Sequence, residues 1–161
     1  MKNTSVLFVC LGNICRSPTA HGIFQKMVDD QQLQHVISVD SAGTSGWHID
    51  EPPDARTSAA AARRGYNLSE LRGRQVTRED FENFDYILAM DHDNLQDLQD
   101  LQALKPQDYT GYLGLFLSFG TQTEYDVVPD PYHGGARGFE LVLDLVEDAC
   151  EGLLRQLKQN A

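Results

Sequence analysis

No stretch constrains this chain more than Val9-Cys10-Leu11-Gly12-Asn13-Ile14-Cys15-Arg16-Ser17-Pro18, which directly follows the apolar run Ser5-Val6-Leu7-Phe8-Val9. A short apolar run that stops at a glycine-containing loop reads as a buried strand. Ser17-Pro18 reads as a helix start, with the serine as cap and the proline in the first turn. A loop curled ahead of a helix N-terminus aims several backbone N–H groups at one spot, and the helix dipole favours negative charge there. The stretch therefore predicts an anion site. Arg16 adds a planar fork that matches the oxygens of a phosphate, and Cys10 lies at the floor of the cradle, where the surrounding donors favour a thiolate.

Such a site must be a local electropositive pocket, because 24 acidic against 13 basic residues give a net charge of −11. The same excess excludes nucleic acid and an anionic membrane as main partners, since both are polyanions that need basic patches. Three cysteines in 161 residues, two of them inside the loop, do not make a disulfide framework and point to a reducing, cytoplasmic compartment. Met1-Lys2-Asn3-Thr4 runs straight into a short strand instead of a signal-type apolar region. No segment approaches the ~18 consecutive apolar residues of a membrane span. The length fits one domain, residues 1–161, with a core of its own.

Ile23, Phe24, Met27 and Val28 recur at helical spacing after the loop, and His21 lies in that helix as a packed or surface imidazole. The β-branched run at 35–41 predicts a second strand ending in the turn-forming Ala42-Gly43-Thr44-Ser45-Gly46. The polar loop beyond it carries Trp47, the only tryptophan, whose glycine and histidine neighbours favour exposed binding surface over core. Asp54 opens an alanine-rich helix stopped by Gly65, and 68–75 is a connector in which Arg72 and Arg74 read as solvated charges. Thr77 and Asp80 form a loose capping box, and 85–90 is a continuous apolar third strand.

Residues 91–101 predict a helix with an acidic first turn, so the carboxylates around His92 read as a solvated helix start and not as a metal site. Lys105-Pro106 closes that helix, 112–119 supplies a fourth strand, and 120–135 is the last long loop. Phe139, Val142, Val146, Cys150, Leu153 and Leu157 mark the buried stripe of a terminal helix, with Cys150 as a core thiol. Alternating strands and helices predict an α/β, three-layer fold: a four-stranded, mostly parallel twisted sheet with helices on both faces. In such folds ligands bind beyond the carboxyl ends of the strands, where the Cys10 loop falls.

A thiolate can displace phosphate from oxygen, but a phenolate leaves better when protonated, so the chemistry needs a general acid. Val128-Pro129-Asp130-Pro131-Tyr132-His133 lies in the last long loop, where flanking prolines can hold Asp130 at a set position. Asp-Pro is equally the pattern of an ordinary surface turn, and the residues alone leave both readings open.

The run Phe8-Val9-Cys10-Leu11-Gly12-Asn13-Ile14-Cys15-Arg16-Ser17-Pro18 closely resembles the signature of the low-molecular-weight protein tyrosine phosphatases. Asp130-Pro131-Tyr132, Asp40-Ser41-Ala42-Gly43-Thr44, the Trp47 loop and Asp85-Tyr86-Ile87-Leu88-Ala89-Met90-Asp91 look like family positions in family order. The resemblance implies hydrolysis of phosphotyrosine and small aryl phosphates through a cysteinyl-phosphate, without cofactor or metal. Cys10 would be the nucleophile, Arg16 the binder of phosphate oxygens and Asp130 the general acid and base. Leu11, Gly12, Asn13, Ile14, Cys15 and Ser17 would form the phosphate loop, with Ser17 donating to the Cys10 sulfur. Asn13 would adopt a left-handed conformation with Ser41 as its partner. Leu11, Trp47 and Tyr132 would wall the aryl slot, and Cys15 resembles the thiol that relatives join to the nucleophile under oxidation.

Two positions depart from the family pattern. Leu71 stands where relatives often carry a histidine that supports the loop, and His133 replaces a second tyrosine. The partners implied are phosphotyrosine proteins or aryl phosphates, with inorganic phosphate as product and the protein acting as a monomer. Two other readings fit a cysteine-bearing phosphate loop. Arsenate reductases of similar fold pass oxidation to further cysteines, but only Cys150 lies downstream here. A phosphotyrosine-binding module without turnover would need neither nucleophile nor acid.

Overall fold

Four parallel strands in the order β2-β1-β3-β4 carry the chain: β1 Thr4–Cys10, β2 Ile37–Gly43, β3 Tyr86–Ala89 and β4 Tyr112–Leu115. The computed structural model describes residues 3–105 and 107–160, without the side chain of His133. Pro106, the His133 side chain and the Met1-Lys2 start therefore lie outside the described residues. Helices α1 Arg16–Asp30, α2 Ala55–Arg63, α3 Asp80–Asn83, α4 His92–Gln102 and α5 Gly135–Gln159 fill the connections and the C-terminal end. No helix among the described residues is long and apolar enough to cross a membrane.

The two-residue period of β1 divides the core. Val6, Phe8 and Cys10 face one layer with Phe24 of α1, Ala60 of α2 and the α5 stripe, while Leu7 and Val9 face the other with Phe81 of α3 and Leu98 of α4. Phe8 anchors the first layer through edge-on contacts with Phe24 at 5.8 Å and Phe116 at 5.0 Å between ring centroids. The α5 stripe from Phe139 through Val142, Val146, Cys150 and Leu153 to Leu157 is buried as expected.

Several boundaries differ from those expected. The fourth strand stops at Leu115, and Phe116–Phe119 winds into a 3₁₀ turn. The reason is the neighbour: β3 ends at Ala89, which pairs with Leu115, so a longer edge strand would have no ladder to join. The second strand runs through Gly43 because that residue still pairs with Cys10 and bridges to Gln75. Helix α1 starts at Arg16 and α5 at Gly135.

Candidate active site

β1 lies inside the sheet, and the chain crosses from it to β2 on one side and, later, to β3 on the other. The crevice beyond its carboxyl end is thus a topological switch point, and Cys10 is the last residue of the strand. The loop that follows is clamped from β2, since Thr44 N–H donates to the Cys10 carbonyl at 2.9 Å and Ser45 N–H to that of Leu11 at 3.0 Å. Gly43 permits this approach: a Cβ there would meet the Leu11 carbonyl oxygen at 2.7 Å.

Polar contacts converge on the sulfur. Asn13 N–H donates to Cys10 Sγ at 3.2 Å, and Ser17 Oγ lies 3.0 Å from it. Asn13 Nδ2 donates to Ser17 Oγ at 2.7 Å, and the Ser17 hydroxyl has both Cys10 Sγ and, at 3.4 Å, the Ala42 carbonyl within reach. Asn13 sits at φ 58°, the left-handed region that asparagine tolerates. The N–H groups of Gly12, Ile14 and Cys15 make no hydrogen bond to the described residues, so they are ready donors to an anion. Ser17 thus lies against the thiol and does not cap α1, whose cap position, Cys15, contributes no side-chain bond.

Ser41 departs from its expected role. Asn13 Oδ1 accepts from Arg74 N–H at 3.0 Å, whereas Ser41 Oγ pairs with His21 Nδ1 at 2.9 Å. Ser41 lies on β2 opposite Phe8, and its side chain is claimed by the imidazole of α1. Burial holds His21 below the ordinary imidazole range, opposed by Asp40 and reinforced by Arg74. Arg74 is no solvated charge either: it binds Asp40 through Nε at 3.1 Å and Asp80 through Nη1 and Nη2 at 3.1 and 3.0 Å. Asp80 also accepts from Thr77 N–H at 2.8 Å, half of the expected capping box. Leu71, in the place of a histidine, packs on the hydrophobic core, and the connector supports Asn13 through the Arg74 backbone instead.

Arg16 is fixed from the far side of the crevice. Its Nη1 donates to Asp91 Oδ2 at 2.7 Å and to the Val128 carbonyl at 3.0 Å, while Nε and Nη2 remain for the paired oxygens of a phosphate. Asp91 does double duty, since its Oδ1 caps α4 by accepting from Asn94 N–H at 2.8 Å. Neither Asp91 nor Val128 stood out as a site residue in the sequence; the available signal was that Asp91 closely follows the end of β3, next to β1.

Asp130, Pro131 and Tyr132 form the opposite wall of a cavity of about 160 Å³ that also contains Cys10, Arg16 and Cys15. Leu11, Trp47 and Tyr132 rim it, 41%, 73% and 42% exposed, an unusual exposure for large apolar side chains. Half-buried His48, bonded to Glu51, adds an unanticipated lining residue. Asp130 Oδ1 accepts from Tyr132 N–H at 3.0 Å, which fixes the turn Pro131–His133.

A second network reaches Tyr132 from behind. Cys15 Sγ donates to Tyr132 Oη at 3.2 Å, and Tyr132 Oη donates to Asp54 Oδ2 at 2.9 Å. Asp54 meanwhile caps α2 through Oδ1. Burial pushes the Cys15 thiol up, which keeps it the donor here. Burial also pushes Asp54 up, but its hydrogen bonds from Tyr132, Thr57 and Arg56 outweigh that and hold it below the usual carboxylate range. Cys10, Cys15 and Cys150 are all free thiols.

A larger cleft of about 380 Å³ opens at the amino ends of the strands, lined by Thr4, Asp85, Tyr86 and Tyr112 among others, but it offers neither thiol nor cation. Comparison with known proteins identifies the family. Residues 5–161 match the family described as low molecular weight phosphotyrosine protein phosphatase. The chain is 40% identical over 155 residues to the low molecular weight protein-tyrosine-phosphatase YfkJ of Bacillus subtilis, covering 96% of each. It is 42% identical over 152 residues to the low molecular weight phosphotyrosine protein phosphatase of Homo sapiens, covering 94% of each. A crystal structure of a protein tyrosine phosphatase from Entamoeba histolytica, with Hepes in its active site, superposes with a TM-score of 0.90 at 40% identity, covering 98% of this chain and 99% of that one.

Proposed function

We propose that this chain, which belongs to the low-molecular-weight phosphotyrosine protein phosphatases, hydrolyses aryl phosphates with Cys10 as nucleophile, Arg16 as phosphate binder and Asp130 as general acid and base. The observation that carries this assignment is one cavity joining three things: a thiol that receives hydrogen bonds, an arginine with two free donors, and a carboxylic acid on the facing wall.

In the first step Cys10 Sγ attacks phosphorus as the bond to the phenolic oxygen breaks, and Asp130 gives that oxygen its proton. In the second, the Asp130 carboxylate takes a proton from water, the water oxygen bonds to phosphorus, and Cys10 departs as thiolate. Arg16 and the loop N–H groups bind the equatorial oxygens throughout, and they are fixed before substrate arrives, so little reorganisation is needed. Ser17 helps the sulfur leave. Trp47, Leu11 and Tyr132 hold the flat ring, and inorganic phosphate is the second product.

In this reading the protein acts as a monomer on phosphotyrosine proteins in the cytoplasm, where reducing conditions keep Cys10 and Cys15 as thiols. A peroxide-type oxidant would take two electrons and two protons from those thiols to join them as a disulfide and silence the nucleophile, and a dithiol reductant would restore both. Cys150 takes no part: it is wholly buried against Ala20, which removes the downstream thiol that an arsenate-reducing relay requires. Cys10→Ser is the decisive variant. It should lower aryl-phosphate turnover by roughly 10⁴-fold or more while still retaining phosphotyrosine peptide. Normal turnover by that protein would remove Cys10 as nucleophile.

A further inference from the structure

Tyr132 separates the aryl slot from a second depression on the same surface. Arg56 lies over its ring, 4.6 Å from guanidinium carbon to centroid, and 5.3 Å from the centroid of Phe139. Beyond it runs a groove of about 260 Å³ between α2 and the first turn of α5, with Arg56, Ala59 and Arg63 on one wall and Gly135, Ala136 and Phe139 on the other. Arg56, Ala59 and Arg63 are spaced three and four residues apart, so they share one helical face, with the small alanine as floor between two cations. The arginines are separated by two helical turns, about 10 Å, the span of three extended peptide residues.

The neighbouring Arg64 shows that these cations are not simply ties between helices. Arg64 is the one committed to α5, where it binds Asp144 at 2.9 Å and also meets Glu140 and Glu147. Arg63, one residue earlier, makes no ion pair with the described residues, and Arg56 meets only Asp54, at 3.6 Å. The first turn of α5 carries no acidic side chain. In a chain of net charge −11, two outward cations on one groove beside the slot are a local inversion of charge.

We infer that this groove is a carboxylate-binding subsite for the peptide flanking phosphotyrosine: acidic side chains of the substrate, leaving the slot past Tyr132, are held by Arg56 and Arg63. The inference rests on the phosphatase reading and adds a substrate preference to it. The overall charge predicts the opposite, repulsion of acidic peptides, so the sign of the preference is diagnostic.

The test uses two phosphotyrosine peptides that differ only in having glutamate or glutamine at the flanking positions, with a small aryl phosphate as internal reference. At low salt, kcat/KM should favour the glutamate peptide by about fivefold, the scale of one or two exposed ion pairs. That ratio should collapse towards one when salt is raised from about 0.01 M to 1 M. Arg63→Glu should abolish or invert the preference while aryl-phosphate turnover stays unchanged. Arg56→Gln alone should reduce the preference without inverting it, with the aryl-phosphate rate as the reference that separates this from any loosening of Tyr132.

Equal rates for the two peptides, a preference for glutamine, or a glutamate preference that survives the two substitutions together would each overturn the subsite while leaving the phosphatase intact. Failure of the unmodified protein to hydrolyse even the aryl phosphate would instead bring down the phosphatase reading, and the subsite with it.

Discussion

The two halves of the candidate reaction centre are held very differently. The Cys10 loop buries Cys10, Asn13 and Cys15 and is held at many points: by β2 through Thr44 and Ser45, by the connector through Arg74, and internally by Asn13 and Ser17. The Asp130 loop is tied down at its root, where Val128 donates to the Met90 carbonyl at 2.8 Å and accepts from Arg16, and at buried Pro131, which packs against Gly138 of α5. At its tip Asp130 and Tyr132 are exposed, and Tyr132 reaches the body of the protein through Cys15 and Asp54. The difference follows the chemistry. Phosphate oxygens have the same geometry in every substrate, so their donors are best fixed in advance, whereas the acid must serve leaving groups that vary.

If that division is right, damage to the acid half should depend on the substrate. Asp130→Asn keeps an acceptor for Tyr132 N–H but cannot supply the proton. It should slow aryl phosphates with poor leaving groups by roughly 10²-fold or more and those with good leaving groups far less. A uniform loss across a leaving-group series would mean that Asp130 only shapes the loop.

Damage to the phosphate half should be independent of leaving group. Asp91→Asn leaves a cap for α4 but removes the charge that orients Arg16. We expect about a tenfold fall in kcat/KM, equal for all aryl phosphates.

Stability should divide along the same line. Asn13→Ala deprives both Ser17 Oγ and Arg74 N–H of a partner and leaves alanine at φ 58°, which should cost about 2–3 kcal/mol in urea unfolding. Tyr132→Phe keeps the ring in the slot and loses only the contacts with Cys15 and Asp54, for about 1 kcal/mol. A reversed order would place the rigid half on the wrong side of the crevice.

The smallest effect concerns pH. Burial lowers the pKa of His21, so below the ordinary imidazole value of about 6.5 the unfolded chain binds a proton that the fold resists. Stability should be complete above that value and decline as pH falls below it. His21→Gln should flatten this part of the profile without loss at neutral pH, because glutamine can still pair with Ser41.

How much of this was legible in the sequence depends on distance along the chain. The strand, the loop and the start of α1 follow from local order: an apolar run, a glycine turn and Cys10 six residues before Arg16 need no distant partner to form an anion cradle. The α5 stripe and the exposed Trp47 were equally readable, from periodicity and from composition. Local reading failed where side chains chose among several reachable partners. Ser17 looked like a cap and lies instead against the Cys10 sulfur, and Arg74 looked solvated and is pinned by Asp40 and Asp80; the resemblance, in turn, gave Ser41 to Asn13, and its hydroxyl went to His21.

The sequence by itself determined the anion cradle around Cys10, because backbone N–H direction and helix polarity are local properties. Only the tertiary structure decided what completes it. Asp91 and Val128 hold Arg16 from 75 and 112 residues away, and Tyr132 meets Asp54 across 78. A hydrogen bond specifies its partner by position in space, and no pattern of spacing along the chain records which of many acceptors the parallel sheet will bring to that position.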